Sequence, residues 1–120
     1  LLTLETVRSL KNQDFPIVLT MTCLNGFFIH PTNPSLAEAF IFNPDGGAAA
    51  VLAPTSLTLV HDQMSLGAYL YQGLAAPGAN RLGDVLLEAQ QSMPLNMQGQ
   101  KDVLLTFLLF GDPALTLRNP

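Results

Sequence analysis

Two runs that are apolar on both faces, IVLTMT at 17–22 and AAAVLA at 48–53, bracket a segment, SLAEAFIF at 35–42, whose apolar residues recur at helical spacing. A strand that shows hydrocarbon on both faces needs cover on both, the situation of a strand inside a parallel sheet. Strand, helix and strand in that order make a βαβ unit with a right-handed crossover. The predicted class is therefore α/β, a parallel sheet flanked by helices. The helix is well specified. Ser35 and Glu38 stand at capping-box spacing, Leu36 and Phe40 pair at i, i+4, as do Ala37 and Ile41, and Asn43-Pro44 stops the run. Both apolar runs read as central strands, yet too few other strands remain to flank both, so one of them lies at an edge.

The rest of the chain supplies the flanking helices. Thr3 opens a short amphipathic helix through Leu4, Val7, Arg8 and Leu10, broken before Pro16. Pro54 closes the second strand, and Asp62 is the expected cap of a helix running to about Leu74, weakened by Gly67 and Gly73. Leu82, Val85, Leu86, Ala89 and Met93 form the apolar face of a further helix that Pro94 ends. Val103–Phe110 is apolar all round and fits a buried helix or a strand; helix is the expectation, with Gly111 as its stop and ALTLR at 114–118 as a short final strand. No repeat, linker or internal boundary divides the 120 residues, a length suited to one core.

Charge and spacing exclude several classes. A net charge of −4 with five Lys plus Arg offers no basic patch for phosphates, so nucleic acid is not a partner. The longest strongly apolar stretch, Val103–Phe110, is far short of the roughly 20 residues that span a bilayer. No histidine or carboxylate pair has metal-ligand spacing and no glycine-rich phosphate loop follows a strand, so neither a metal nor another cofactor is expected. The chain opens at Leu1 without the pattern of a signal peptide.

The single cysteine, Cys23, falls where the first strand leaves the sheet, in TCLNGFF. Reactive groups of open α/β sheets gather beyond the carboxyl ends of the strands. A turn with Asn25 and Gly26 offers backbone donors that can approach a substrate oxygen closely. Cys23 is thus a reactive thiol or a small buried apolar residue, and the spacing leaves both open. His30 and His61 are the candidates for a base, although neither has a spacing signature, and Asp45 and Asp112 sit beside turn formers as turn or cap residues.

LTMTCLNGFF, 19–28, resembles the nucleophile segment of the gingipain-type, caspase-like cysteine peptidases, where a hydrophobic strand ends in cysteine, x-x-Gly and an aromatic. SLAEAF, GGAAAVLAPTS and FLLFGDPALTLR resemble the family's next helix, next strand and ending, in the same order, so that the likeness runs from about residue 5 to 118. The resemblance implies a caspase-like fold and a cysteine endopeptidase in which Cys23 is the nucleophile. The Cys23 backbone N–H would help to bind the oxyanion, while Asn25 and Gly26 would support its loop. The family's catalytic histidine lies upstream of the nucleophile, and residues 1–22 hold none. Residues 1–120 would then be the C-terminal portion of such a domain, inactive alone, with the remainder of its own domain and a peptide or protein substrate as partners. The resemblance further implies a bacterial protein, secreted or at the cell surface. The alternative is a caspase-like domain without activity that serves as a binding or assembly scaffold.

Overall fold

The computed structural model describes residues 2–78 and 81–117, which form two compact units: residues 2–57 with 106–111, and residues 58–78 and 81–105 with 112–117. The first unit holds the sheet. Its helix α1 (Leu4–Arg8) starts at Thr3, whose hydroxyl accepts from the Thr6 N–H, and buries Val7. Strand β1 (Ile17–Leu19) leads through a long turn to α2 (Leu36–Ile41), and β2 (Ala50–Pro54) follows. The capping box forms as expected: the Glu38 N–H donates to Ser35 Oγ at 3.2 Å, and the Ser35 N–H donates to Glu38 Oε2 at 2.7 Å. Such a cap is worth about 1 kcal/mol, which matters for a helix of six residues.

β1 and β2 pair in parallel, Ile17 with Ala50 through Leu19 with Leu52, so the expected parallel pair with its crossover helix is present. The third strand is β3 (Phe107–Gly111), antiparallel to β2, and the sheet order is β1-β2-β3. An antiparallel strand at the edge of a parallel sheet is common in α/β folds. β2 is the central strand, paired on both sides and buried at all five positions. Each fully buried Val or Leu side chain on it contributes roughly 1.5–3 kcal/mol. Of the two runs that read as central, β1 is the one left at an edge: it pairs with one neighbour among the described residues and each of its residues is half-buried, as the shortage of flanking strands requires. Val7, Ala37, Ala39, Phe40, Ala48, Val51 and Ala53 make the core, with Val18 and Phe110 packed against it. Alanines on α2 and β2 let helix and strand approach closely.

The reading of Val103–Phe110 as one helix is corrected. Helix α5 spans Gln98–Thr106, and the chain passes directly into β3 at Phe107. Gly111 ends a strand instead of a helix: its φ is +137°, and a Cβ there would stand 2.9 Å from Ala50 Cβ and 3.0 Å from the Ala49 carbonyl oxygen. Leu108 is the outward residue of β3 while Phe107 is buried. Aromatics at both ends of FLLF favour the extended form, in which they pack on a pleated surface.

In the second unit α3 (Val60–Ala75) packs against α4 (Leu82–Ser92), with Leu66 and Leu70 buried on one helix and Leu82, Val85 and Ala89 on the other. Asp62 is not the cap of α3. Leu59 occupies that position without a side-chain hydrogen bond, and Asp62 lies buried in the first turn with His61 Nε2 at 3.3 Å. A carboxylate there faces the positive end of the helix. The expected strand ALTLR is reduced to a single bridge between Thr116 and Arg81, and Arg118 lies outside the described residues. The GDPAL block has a different task. The Leu82 N–H donates to the Leu115 carbonyl and the Gly83 N–H to the Pro113 carbonyl, at 3.0 and 2.8 Å, so this block caps α4, whose own N-cap residue Arg81 provides no side-chain bond.

Candidate active site

The site is built where β1 leaves the sheet. Past Leu19 the ladder continues for one residue, as the Thr20 N–H and the Thr20 hydroxyl both donate to the Leu52 carbonyl, at 3.0 and 3.2 Å. The chain then turns over Cys23–Gly26. The Gly26 N–H donates to the Pro54 carbonyl at 2.9 Å, which ties the far side of the turn to the carboxyl end of β2. The Asn25 carbonyl accepts from the Ala37 N–H at 2.9 Å, satisfying one of the first-turn donors of α2. Cys23 is therefore held in a loop pinned to a strand end and to a helix start.

Cys23 is half-buried. Leu24, the next residue, has φ +64°, the one non-glycine residue in the left-handed region among those described. That conformation costs a leucine on the order of 1 kcal/mol, and strain of this kind is retained where surrounding contacts over-determine the turn. Gly26 is buried and has no room for a side chain: a Cβ would stand 2.9 Å from Phe110 Cε2 and 3.1 Å from both Ala53 Cβ and the Ala53 carbonyl oxygen. The Phe110 ring also meets Phe28 edge-on, with centroids 6.1 Å apart. The strand that the sequence disguised as helix is thus part of the support of the cysteine loop.

Of the three residues singled out at this site, Cys23, Asn25 and Gly26, all lie in one turn. The Gly26 N–H is engaged by Pro54, so its contribution is close packing and not donation to an oxyanion. Beside Leu24 and Asn25 opens a cleft of about 310 Å³, lined also by Phe27, His30, Pro34 and Leu36 and by the start of α1, with no Asp, Glu, Lys or Arg among the described residues of its wall.

The two histidines are employed elsewhere. His30 Nδ1 accepts from the Thr32 N–H at 3.3 Å and the Asn33 N–H at 3.0 Å, which places the ring proton of the neutral form on Nε2. The ring nitrogen that could accept a proton is thus occupied within the PTNP turn. His61 is exposed and paired with Asp62. Asp112 Oδ1 accepts from the Ala114 N–H at 2.8 Å, and the Asp45 N–H donates to Asn43 Oδ1 at 3.0 Å, so both aspartates are turn residues. Two features escaped the sequence reading: the left-handed Leu24, and a bond from Asn25 Nδ2 to Thr22 Oγ1 of 2.5 Å. The Thr-x-x-Asn spacing astride the cysteine was the available signal for the second.

The sequence profile of peptidase family C25 matches residues 1–118. The chain belongs to this family. Among solved structures, the C25 chain superposes on the complex of Porphyromonas gingivalis RgpB pro- and mature domains with a TM-score of 0.86 at 22% identity, over 96% of its own length and 29% of that chain. A crystal structure of the Arg specific cysteine proteinase gingipain R gives a TM-score of 0.75, also at 22% identity and with the same coverage of both chains. No curated protein matches it. The fold is that of a gingipain segment, and the chain spans less than a third of the length of those structures. Among the described residues no helix is long and apolar enough to cross a membrane.

Proposed function

We propose that this C25 chain is the nucleophile-bearing portion of a cysteine endopeptidase domain, with Cys23 as the nucleophile. The observation that carries the reading is the placement of Cys23: partly exposed, just past the carboxyl end of a strand in a parallel pair, in a turn held by Pro54 and Ala37 and strained at Leu24. Thiol nucleophiles need access, a fixed direction of attack and nearby amide donors, and this turn offers a setting for all three.

The chemistry follows from the thiol. A base takes the proton from Sγ, the thiolate attacks the scissile carbonyl carbon, and the developing oxyanion is met by backbone N–H groups that include that of Cys23. The base returns the proton to the leaving amine nitrogen as the C–N bond breaks. Water, deprotonated by the same base, then attacks the thioester, releasing a carboxylic acid and restoring the thiol. His30 is bound into its own turn, so the base is a histidine of the domain's remaining length. The open edge of β1 supports this arrangement: a further parallel strand would lie about 4.8 Å away and end level with Cys23. A residue at its carboxyl end would be within reach of Sγ. The substrate is a peptide or protein. The arginine preference in the relative's description is said of that protein and is not carried over. Action outside the cell, as the resemblance to gingipains implies, belongs to the same proposal.

The test is hydrolysis of a mixed peptide library by the full-length protein in reducing buffer, followed by mass spectrometry. Cleavage that disappears after treatment with iodoacetamide is the expected result. Cleavage indifferent to alkylation removes the thiol mechanism, and no cleavage by the reduced, folded protein favours the scaffold reading.

A further inference from the structure

We propose that Thr22 and Asn25 are positioning residues for Cys23, joined by a side-chain clasp that spans the nucleophile and fixes its direction. This rests on the assignment of Cys23 made above. The Asn25 amide nitrogen donates to Thr22 Oγ1 across 2.5 Å, closing a ring around Cys23 and Leu24. One end of the clasp is anchored directly, and the other lies two residues past an anchored one. Asn25 is fixed through its carbonyl by the Ala37 N–H of α2, and Thr22 follows Thr20, which holds the Leu52 carbonyl of β2 with two bonds. Leu24 inside the ring has φ +64°, a conformation a leucine leaves readily unless neighbouring bonds resist. The clasp supplies that resistance at the two residues adjoining the Cys23–Leu24 pair. Thr22 is exposed, so the bond contributes little to the core. Its effect is instead on where the Cys23 side chain starts from when it meets a carbonyl carbon, and near-attack geometry is sensitive to displacements of an ångström.

The clasp is neutral, so it acts by position and not by charge. Thr22→Val keeps the shape and removes the acceptor; Asn25→Ala removes the donor. In the full-length protein, with active sites titrated so that rates refer to folded molecules, each variant is expected to lower kcat by about 10- to 100-fold while KM changes little. The double variant is expected to be no worse than the poorer single one, because each substitution removes the same bond. Thr22→Ser, which retains the acceptor, recovers most of the kcat lost in Thr22→Val. A loss of melting temperature without this kcat effect, or losses that multiply in the double variant, overturns the clasp. A Cys23→Ala control keeps the two proposals apart. If it is inactive while Thr22→Val has the wild-type kcat, the clasp alone fails; if it still cleaves, the nucleophile assignment fails.

Discussion

Replacing Cys23 by alanine in the full-length protein is expected to abolish peptide cleavage while leaving stability nearly unchanged. The two halves of that result have separate physical sources. Cys23 lies outside the packed core formed by Val7, Ala37, Phe40 and Val51 and is half-buried, so truncating it to alanine opens no cavity in that core and costs on the order of 0.5 kcal/mol. The turn around it is held by backbone bonds from Gly26 to Pro54 and from Ala37 to Asn25, none of which involves the thiol. Covalent catalysis, in contrast, has no substitute for the lost nucleophile. Removal of a nucleophile commonly lowers kcat by about 10⁴-fold or more. The comparison to make is kcat/KM against thermal unfolding for the same preparation. A variant that cleaves within tenfold of wild type contradicts the assignment.

Gly26→Val is expected to damage stability and activity together. A Cβ at this position would already stand 2.9 Å from the Phe110 ring and 3.1 Å from the Ala53 carbonyl oxygen, and valine adds two methyl groups to that contact. The ring can turn aside, but the backbone oxygen belongs to the central strand and cannot. Relief must come from lifting the loop, which stretches the Gly26–Pro54 bond and carries Cys23 with it. Overpacking of this kind costs about 1–3 kcal/mol. The urea midpoint should fall accordingly, and kcat should fall further than the loss of folded protein explains. Gly26→Ala should give the same pattern in weaker form. A wild-type midpoint for Gly26→Val would show that the loop is not packed on β2 and Phe110.

Much of the architecture was legible in local chemistry. The capping box at Ser35 and Glu38, the Thr3 cap and the apolar stripe of α4 are short-range features, and short-range features survive in the fold because they act over one turn of chain. The failures are equally physical. IVLTMT and AAAVLA have the same composition of a strand covered on both faces, so composition could say that one of them stands at an edge but not which; pairing partners decide that, and among the described residues β2 has two and β1 has one. Phe107–Phe110 has no periodicity to distinguish strand from helix, and its pairing with β2 across more than fifty residues of sequence is a long-range choice. Asp62 looked like a cap by type and place, yet the helix begins two residues earlier and draws it inside. At the site, the cysteine and its turn could be located from the sequence, whereas the left-handed Leu24 and the Thr22–Asn25 bond depend on backbone geometry that residue types do not announce.

The most direct measurement is to treat the full-length protein with peptides ending in an electrophilic ketone, which trap the attacking group at the carbonyl position, and to map the adduct by mass spectrometry. The adduct should sit on Cys23, in one-to-one proportion with lost activity. Inactivation with Cys23 unmodified and another side chain carrying the peptide would contradict the account.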